Sequence, residues 1–378
     1  MTPEDFRALF PALRQVIWAD TPGAALGCLP VVRSLSAALD SWLDGSFDWT
    51  AWDAAAGLAR ERFADWLGID PGGVATLGSA SEAVATVAAS LPRGRVVVSA
   101  EDFRSTRYPW APFHDVVEVA HGSDGLRVDD LLAAITPGTT AVSVSHVTSH
   151  EGLRLPLPAL RDRCDEVGAL LLVNATQSLG VLDLEPARSR PDFLVAHAYK
   201  WMLAPRGSAF LAVRPDRLDL VRPLVESWRT TGAPLGYFGG DLVPAADASR
   251  LDTSPAWLTW MGTLAALDVL ARLDPATVDR HATGLAARLR ERVGTAGYRP
   301  FAADGPSHIA VLRPPAGVDP RALLERLRSR GVRATAGADR IRFGFHYYNT
   351  ADEVDAISCF LIEEAGIVPV SGDRPVYG

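Results

Sequence analysis

The chain has 378 residues, 48% apolar and 22% charged, with a formal charge of −8 and a pI near 5.5. That balance describes a globular protein and argues against the clustered positive charge of a nucleic-acid footprint. No apolar run reaches the roughly 20 residues of a membrane span. The opening MTPEDFRALF has no basic segment followed by an apolar one, so no secretory signal is expected. Cys28, Cys164 and Cys359 lie far apart and form no CxxC, which makes a disulfide framework or a cysteine-based zinc site unexpected and points to a cytoplasmic protein. The length suits one large domain and a smaller one.

In chain order, Met1–Leu13 reads as a short amphipathic helix, and Pro30–Leu43 and Trp49–Leu67 carry helical periodicity. Val74–Leu77 is a short strand candidate. Gly78-Ser79-Ala80-Ser81-Glu82 then feeds the helix Ala83–Leu91, and small residues at a helix entry make either a plain N-cap or an anion site. Strands are expected at Arg95–Ala100, Val116–Val119, Thr140–Ser145, Ala169–Asn174, Asp192–Ala196 and Ser208–Arg214, with helices at Val128–Ile135 and Leu157–Val167. Short, nearly continuous apolar strands separated by helices indicate a mostly parallel sheet covered on both faces. Ser208–Arg214 follows Asp192–Ala196 too soon for a helical crossover, so that pair can include an antiparallel strand. After about Arg250 the texture changes. Helices are expected at Ala256–Leu273, Val278–Val293, Pro320–Ser329 and Ala351–Glu364, with short strands at His308–Leu312, Val332–Thr335 and Arg340–Phe343. This alternation suits a small α+β domain. Val368–Gly378 is expected to be poorly ordered unless docked.

Lys200 is the only lysine among 37 cationic Lys and Arg residues. It follows the apolar run Phe193-Leu194-Val195-Ala196, where a surface charge has little reason to sit. Arginine can replace lysine on a surface, but it cannot become a neutral amine and condense with a carbonyl. Chance in an arginine-biased composition is the competing explanation. In an open α/β sheet, ligands bind at the carboxyl edge of the strands. Asn174 ends one strand candidate and His197 follows another, three residues before Lys200. An aldehyde-bearing phosphorylated cofactor would use the lysine, the helix entry and the polar strand end together.

Asn174-Ala-Thr-Gln177-Ser-Leu-Gly180, Asp192-Phe193, His197-Ala-Tyr199-Lys200 and Pro205-Arg206-Gly207 resemble the signature of the class V aminotransferase family. So do Asp102-Phe103-Arg104-Ser105 ahead of Pro109-Trp110, His146–Gly152, and Arg340-Ile-Arg342 followed by His346–Thr350. The resemblance implies an α/β, fold-type I enzyme dependent on pyridoxal phosphate (PLP). Its large domain would carry a mostly parallel sheet, with a smaller C-terminal α+β domain beside it. Residues 1–18 would be an N-terminal arm, 19–255 the large domain, and 256–378 with the arm the small one. It implies Lys200 as the Schiff-base lysine that also moves the α-proton. Ala80 and Ser81 would hold the phosphate with help from His197, Phe103 would stack on the pyridine face, and Gln177 would lie near the phenolic oxygen. Arg342 would fork onto the substrate carboxylate, a strand surface cation being the alternative reading. Ser149, His150 and Tyr199 fall on the substrate side. Thr253-Ser254-Pro255 matches the segment that completes the phosphate site of a second subunit, which implies a homodimer. No metal site is expected, since His114/Asp115 and His121 lack further partners at ligand spacing.

Three departures bear on the reaction. Asn174 stands where the family has aspartate. A charge-assisted hydrogen bond contributes roughly 1.5–3 kcal/mol and a neutral one roughly 0.5–1.5, so the ring should be a weaker electron sink. Tyr199 stands where most relatives have histidine. The nucleophilic cysteine of desulfurases is missing: Cys359 lies in an expected helix, and Cys28 reads as a small buried apolar residue more readily than as a group approaching substrate. These favour lyase chemistry at Cβ of a cysteine-type amino acid over persulfide formation. Transamination, epimerisation and a non-catalytic relative of the fold remain as alternatives. Arginines and aromatics in Val225–Gly240 are expected near the mouth of the site.

Overall fold

The structure, a computed structural model, describes residues 1–184, 186–232, 237–301, 305 and 307–366. The expectation for Val368–Gly378 lies outside the described residues. The first half runs α1 (Pro3–Arg7), β1 (Ile17–Trp18), α2 (Leu29–Asp44), α3 (Trp49–Leu67), β2 (Val74–Leu77), α4 (Ala80–Ser90), β3 (Arg95–Ser99), α5 (Arg104–Arg107), β4 (Asp115–Val119), α6 (Val128–Ala134), β5 (Thr139–Ser145), α7 (Leu157–Val167) and β6 (Leu170–Asn174). There follow α8 (Pro186–Ser189), β7 (Phe193–His197), β8 (Ala209–Val213), α9 (Trp257–Leu270), α10 (Pro275–Gly294), β9 (Arg299–Pro300), β10 (Ile309–Arg313), α11 (Pro320–Ser329), β11 (Val332–Arg333), β12 (Thr335–Ala336), β13 (Ile341–Gly344) and α12 (Ala351–Glu364).

Seven strands form the central sheet in the order β2-β8-β7-β6-β5-β3-β4. β8 is antiparallel to both β2 and β7, and the other pairs are parallel. The short β7–β8 link therefore does make an antiparallel pair, as its length requires. Apolar side chains cover both faces of this sheet, which is why its strands read as apolar runs rather than alternations. The carboxyl ends of β3, β5, β6 and β7 share one edge, where Asp102, Ser145, Asn174 and Lys200 emerge.

The C-terminal sheet has the order β12-β13-β10-β9, and α10, α11 and α12 contribute to its separate apolar cluster. α9 packs along α2 and α3, within the apolar cluster that underlies the central sheet. The expected strand Val332–Thr335 divides at Ala334: β11 pairs in parallel with the N-terminal β1, whereas β12 pairs with β13. The expected helix over Met1–Leu13 is also interrupted. α1 stops early and a 3₁₀ turn covers Pro11–Arg14, because Pro11 has no N–H to continue the ladder. α4 begins three residues before the expected Ala83, since Ser79 caps it by accepting from the Glu82 N–H. That shift places Ala80 and Ser81 in the first turn, where backbone N–H groups lack intrahelical partners.

Candidate active site

One concave cleft of about 360 Å³ is lined by Ala80, Phe103, Ser105, Ser145, Ser149, Asn174, Thr176, Gln177, His197, Tyr199 and Lys200. Eight of the residues expected from sequence thus converge on it. Lys200 sits in the turn after β7. The turn is held by a backbone bond from Leu203 N–H to the Lys200 carbonyl, with Leu203 in the left-handed region at φ 63°. Such a conformation costs on the order of 1–3 kcal/mol and persists only where packing imposes it. Here Trp201, Met202 and Leu203 are all buried in the core. Gly180 helps bring the next segment close. Its φ is 104°, and a Cβ there would lie 2.4 Å from the Trp201 carbonyl oxygen. That close approach lets Gln177 accept from the Trp201 indole N–H at 2.8 Å and donate to Ser149 Oγ at 2.9 Å.

The electrostatics suit carbonyl chemistry. Burial, with the cations Arg342 and Arg206 nearby, pushes the Lys200 amine down from its usual range to about 7. A substantial fraction of it is therefore neutral near pH 7. Its Nζ lies 5.3 Å from the Phe103 ring centre, and that ring is 49% exposed over the cleft. His197 is pushed down to about 4 by burial, Arg206 and Lys200, and its Nε2 is buried without a partner. An orphaned ring nitrogen and a helix entry with free N–H groups together fit a phosphate. Asn174 ends β6. Its Oδ1 accepts from the Thr176 N–H at 3.0 Å and its Nδ2 donates to Thr106 Oγ1 at 2.7 Å.

Arg342, on β13, reaches the rim from the other sheet. Its Nη1 donates to the Ser149 carbonyl at 3.0 Å and to Ser149 Oγ at 2.8 Å. Its Nε is buried and unpaired, while Nη2 donates to Thr335 Oγ1 at 3.4 Å and lies 4.0 Å from Asp20 Oδ1, so Nε is the donor left open to a carboxylate. The other expected residues stand apart. Ser81 lies beside the cleft and its Oγ donates to Ser105 Oγ at 2.8 Å. His150 turns away to Arg340, whose Nη1 lies 2.8 Å from its Nδ1. Thr253 donates its N–H to the Thr76 carbonyl, and neither it nor Ser254 lines the cleft. Trp228, Arg229 and Tyr237, from the 225–240 segment expected near the mouth, line a second cleft with Asp53, Arg60 and Asp252. Thr106, Ser145 and Thr176 were not among the residues expected from sequence. Ser145 ends β5 as Asn174 ends β6, so the strand-end argument could have found it. Thr176, two residues after Asn174, is the donor of an Asx turn.

Comparison with known proteins decides the family. The model of the family described as aminotransferase class-V matches residues 51–357. The chain belongs to the class-V aminotransferases. It is a PLP-dependent enzyme, and the non-catalytic alternative falls away. Among relatives of this class-V chain, the uncharacterized aminotransferase YcbU of Bacillus subtilis is 29% identical over 362 residues, covering 93% of this chain and 95% of that protein. The isopenicillin N epimerase of Amycolatopsis lactamdurans is 28% identical over 337 residues, covering 79% and 82%. In fold, a solved structure of the cystine C-S lyase C-DES with its product cysteine persulfide superposes with a TM-score of 0.83. It is 19% identical, over 95% of this chain and 100% of that one. Among the described residues no helix is long and apolar enough to cross a membrane.

Proposed function

We propose that this class-V enzyme is a lyase that removes a sulfur substituent from Cβ of a cysteine-type amino acid. When bound, PLP supplies the sink for the electron pair left at Cα. The protein's part is positional and protonic. Arg342 would take the substrate carboxylate through its unpaired Nε–H. The Lys200 amine would hold the cofactor aldehyde, and its Nζ is the base that would receive the Cα proton. Phe103 would cover one ring face, the start of α4 with Ala80, Ser81 and His197 would take the phosphate, and Gln177 would lie near the phenolic oxygen. Asn174 would face the ring nitrogen. Overall, an S-substituted cysteine and water give a thiol, pyruvate and ammonium. The Cα–H and Cβ–S bonds break, and sulfur leaves with its electron pair.

The observation that carries the choice is a neutral amide at Asn174 in a cleft that no thiol lines. A weaker ring sink disfavours a long-lived carbanion, and loss of a β-substituent discharges the carbanion at once. Persulfide formation needs a reactive thiolate. Cys28 is buried and its thiol is pushed up; Cys164 is buried and pushed up to about 12. Cys359 lies in α12, away from the cleft.

Likeness to the isopenicillin N epimerase over most of the chain supports a second reading, epimerisation at Cα. Tyr199 would then deliver a proton beside Lys200, its phenol kept protonated by burial. The enzyme would be a homodimer, with Thr253 and the exposed Ser254 serving the phosphate site of the other subunit.

Products decide between the readings. Holoenzyme given an S-substituted cysteine should release pyruvate and ammonium in equal amounts without an amino acceptor. Turnover only with a 2-oxo acid, or racemised substrate with no pyruvate, would replace the lyase assignment. In Asn174→Asp the share of transamination should rise about tenfold, the equivalent of one pKa unit at the ring.

A further inference from the structure

Asn174 is tied to a buried carboxylate that stands outside the cleft. Its Nδ2 donates to Thr106 Oγ1 at 2.7 Å, Thr106 Oγ1 lies 3.4 Å from Ser145 Oγ, and Ser145 Oγ donates to Asp102 Oδ1 at 2.6 Å. Because Ser145 gives its proton to Asp102, the Thr106 hydroxyl proton is the one left for the contact between the two hydroxyls. Amide, hydroxyl, hydroxyl and carboxylate therefore point one way. All four side chains are buried.

The two ends of the chain are fixed by backbone. Asp102 Oδ2 accepts from the Ser145 N–H at 2.8 Å, and Oδ1 accepts from the Phe103 N–H at 2.6 Å. Burial pushes this carboxyl up, but N–H donors face both oxygens, so the ionised form is the one these partners satisfy. At the other end, the Thr176 N–H selects Oδ1 of Asn174. A flipped amide would set N–H against N–H.

We propose that Asp102 is a relayed counter-charge for the cofactor ring nitrogen, acting through Ser145, Thr106 and Asn174. Donation along a chain that ends on an anion polarises each link in turn. The last link is the Asn174 amide, whose oxygen becomes the better acceptor for a protonated ring nitrogen. The carboxylate that relatives place directly on the ring is displaced here by three hydrogen bonds, and part of its effect returns through them. Asp102 is a positioning residue, since it lines no part of the cleft. The idea rests on Asn174 facing the ring nitrogen, as proposed above.

The test uses holoenzyme reconstituted with PLP labelled with ¹⁵N in the ring, because the nitrogen chemical shift reports its protonation directly. Asp102→Asn and Thr106→Val should each move the signal toward the unprotonated position with cofactor still bound. In the Asn174→Ala background, Asp102→Asn should add nothing, because the relay is already cut. An unchanged shift in Asp102→Asn overturns the relay and matches a chain running in reverse from a protonated Asp102. An additive shift in the double variant overturns it too, leaving a direct field effect. Loss of cofactor from both Asp102→Asn and Thr106→Val, with circular dichroism unchanged, would make Asp102 a strut for the Phe103 turn and likewise overturn it. If Asn174→Ala alone leaves the signal in place, the failure lies in the placement of Asn174 against the ring.

Discussion

The wall that carries Asn174, His197 and Lys200 and the wall that carries Arg342 meet at Ser149 and are built differently. On the first wall the polar groups leave adjacent strands of one sheet, and β6 and β7 are in register from Leu172 to Asn174. Burial holds its titratable groups toward neutrality, with Lys200 near 7 and His197 near 4. The second wall brings a guanidinium from the C-terminal sheet onto a loop 193 residues earlier in sequence. Arg342 donates two hydrogen bonds to Ser149 of that loop, and its Nε stays unpaired. One side offers a neutral nucleophile and the other a buried cation with one N–H unpaired and its nearest carboxylate, Asp20, 4.0 Å away. A zwitterionic amino acid presents its carboxylate to the second and its amino group to the first. The separation of roles is thus a separation of desolvated amine from buried guanidinium.

Removing the amine should break the first wall outright. Lys200→Ala should lower kcat by on the order of 10²–10⁴, the usual worth of a positioned proton-transfer group. Borohydride should then fix no cofactor to the protein. A variant that is still labelled by borohydride would move the covalent role elsewhere.

The first wall was legible in sequence because its logic is local. Strand ends, a helix entry and a lone lysine lie within short segments, and the sheet rule brings them to one edge. The long-range half was less legible. Arg342 was expected on the substrate carboxylate, but its grip on Ser149 is a contact between separate sheets that no periodicity encodes. His150 was expected on the substrate side, yet Arg340 draws it away, because two arginines one strand pitch apart compete for the same loop. The Asp102 relay was invisible for a similar reason: each link is an ordinary Ser, Thr or Asp. Only the parallel pairing of β3, β5 and β6 puts the strand ends in line.

The second wall is tested by changing geometry while keeping charge. Arg342→Lys retains the cation but loses the fork. With a charge-assisted hydrogen bond contributing about 1.5–3 kcal/mol, KM should rise about 10- to 100-fold while kcat falls less. An equal fall in kcat with KM unchanged would place Arg342 in the chemical step.

The seam between the walls can be strained without touching either. Gly152 closes the Ser149 loop at φ 72°, where an added Cβ would lie 2.3 Å from the Ile309 carbonyl oxygen on β10. Gly152→Ala should cost about 1–3 kcal/mol in denaturant unfolding. It should also raise KM, by less than Arg342→Lys does, because the loop rather than the cation is displaced. Lost stability with KM unchanged would show that the seam holds the fold without positioning Ser149.

The smallest effect is a shift in titration, and it asks whether the walls feel each other. The Lys200 amine is pushed down to about 7 by burial first, then by Arg342 and Arg206, with Asp20 opposing. In apoprotein, capture of a simple non-titrating aldehyde, trapped with borohydride, should therefore rise with pH through about 7 and level off above it. An amine at its ordinary 10.5 would instead keep gaining about tenfold per pH unit beyond 9. Removing a neighbouring cation makes protonation easier, so Arg342→Gln should move the midpoint to higher pH. Arg206→Gln should move it the same way by less. Asp20→Asn should move it to lower pH, since the carboxylate stabilises the ammonium. A midpoint that ignores all three charges would leave burial as the sole cause, and the two walls would then be electrostatically independent.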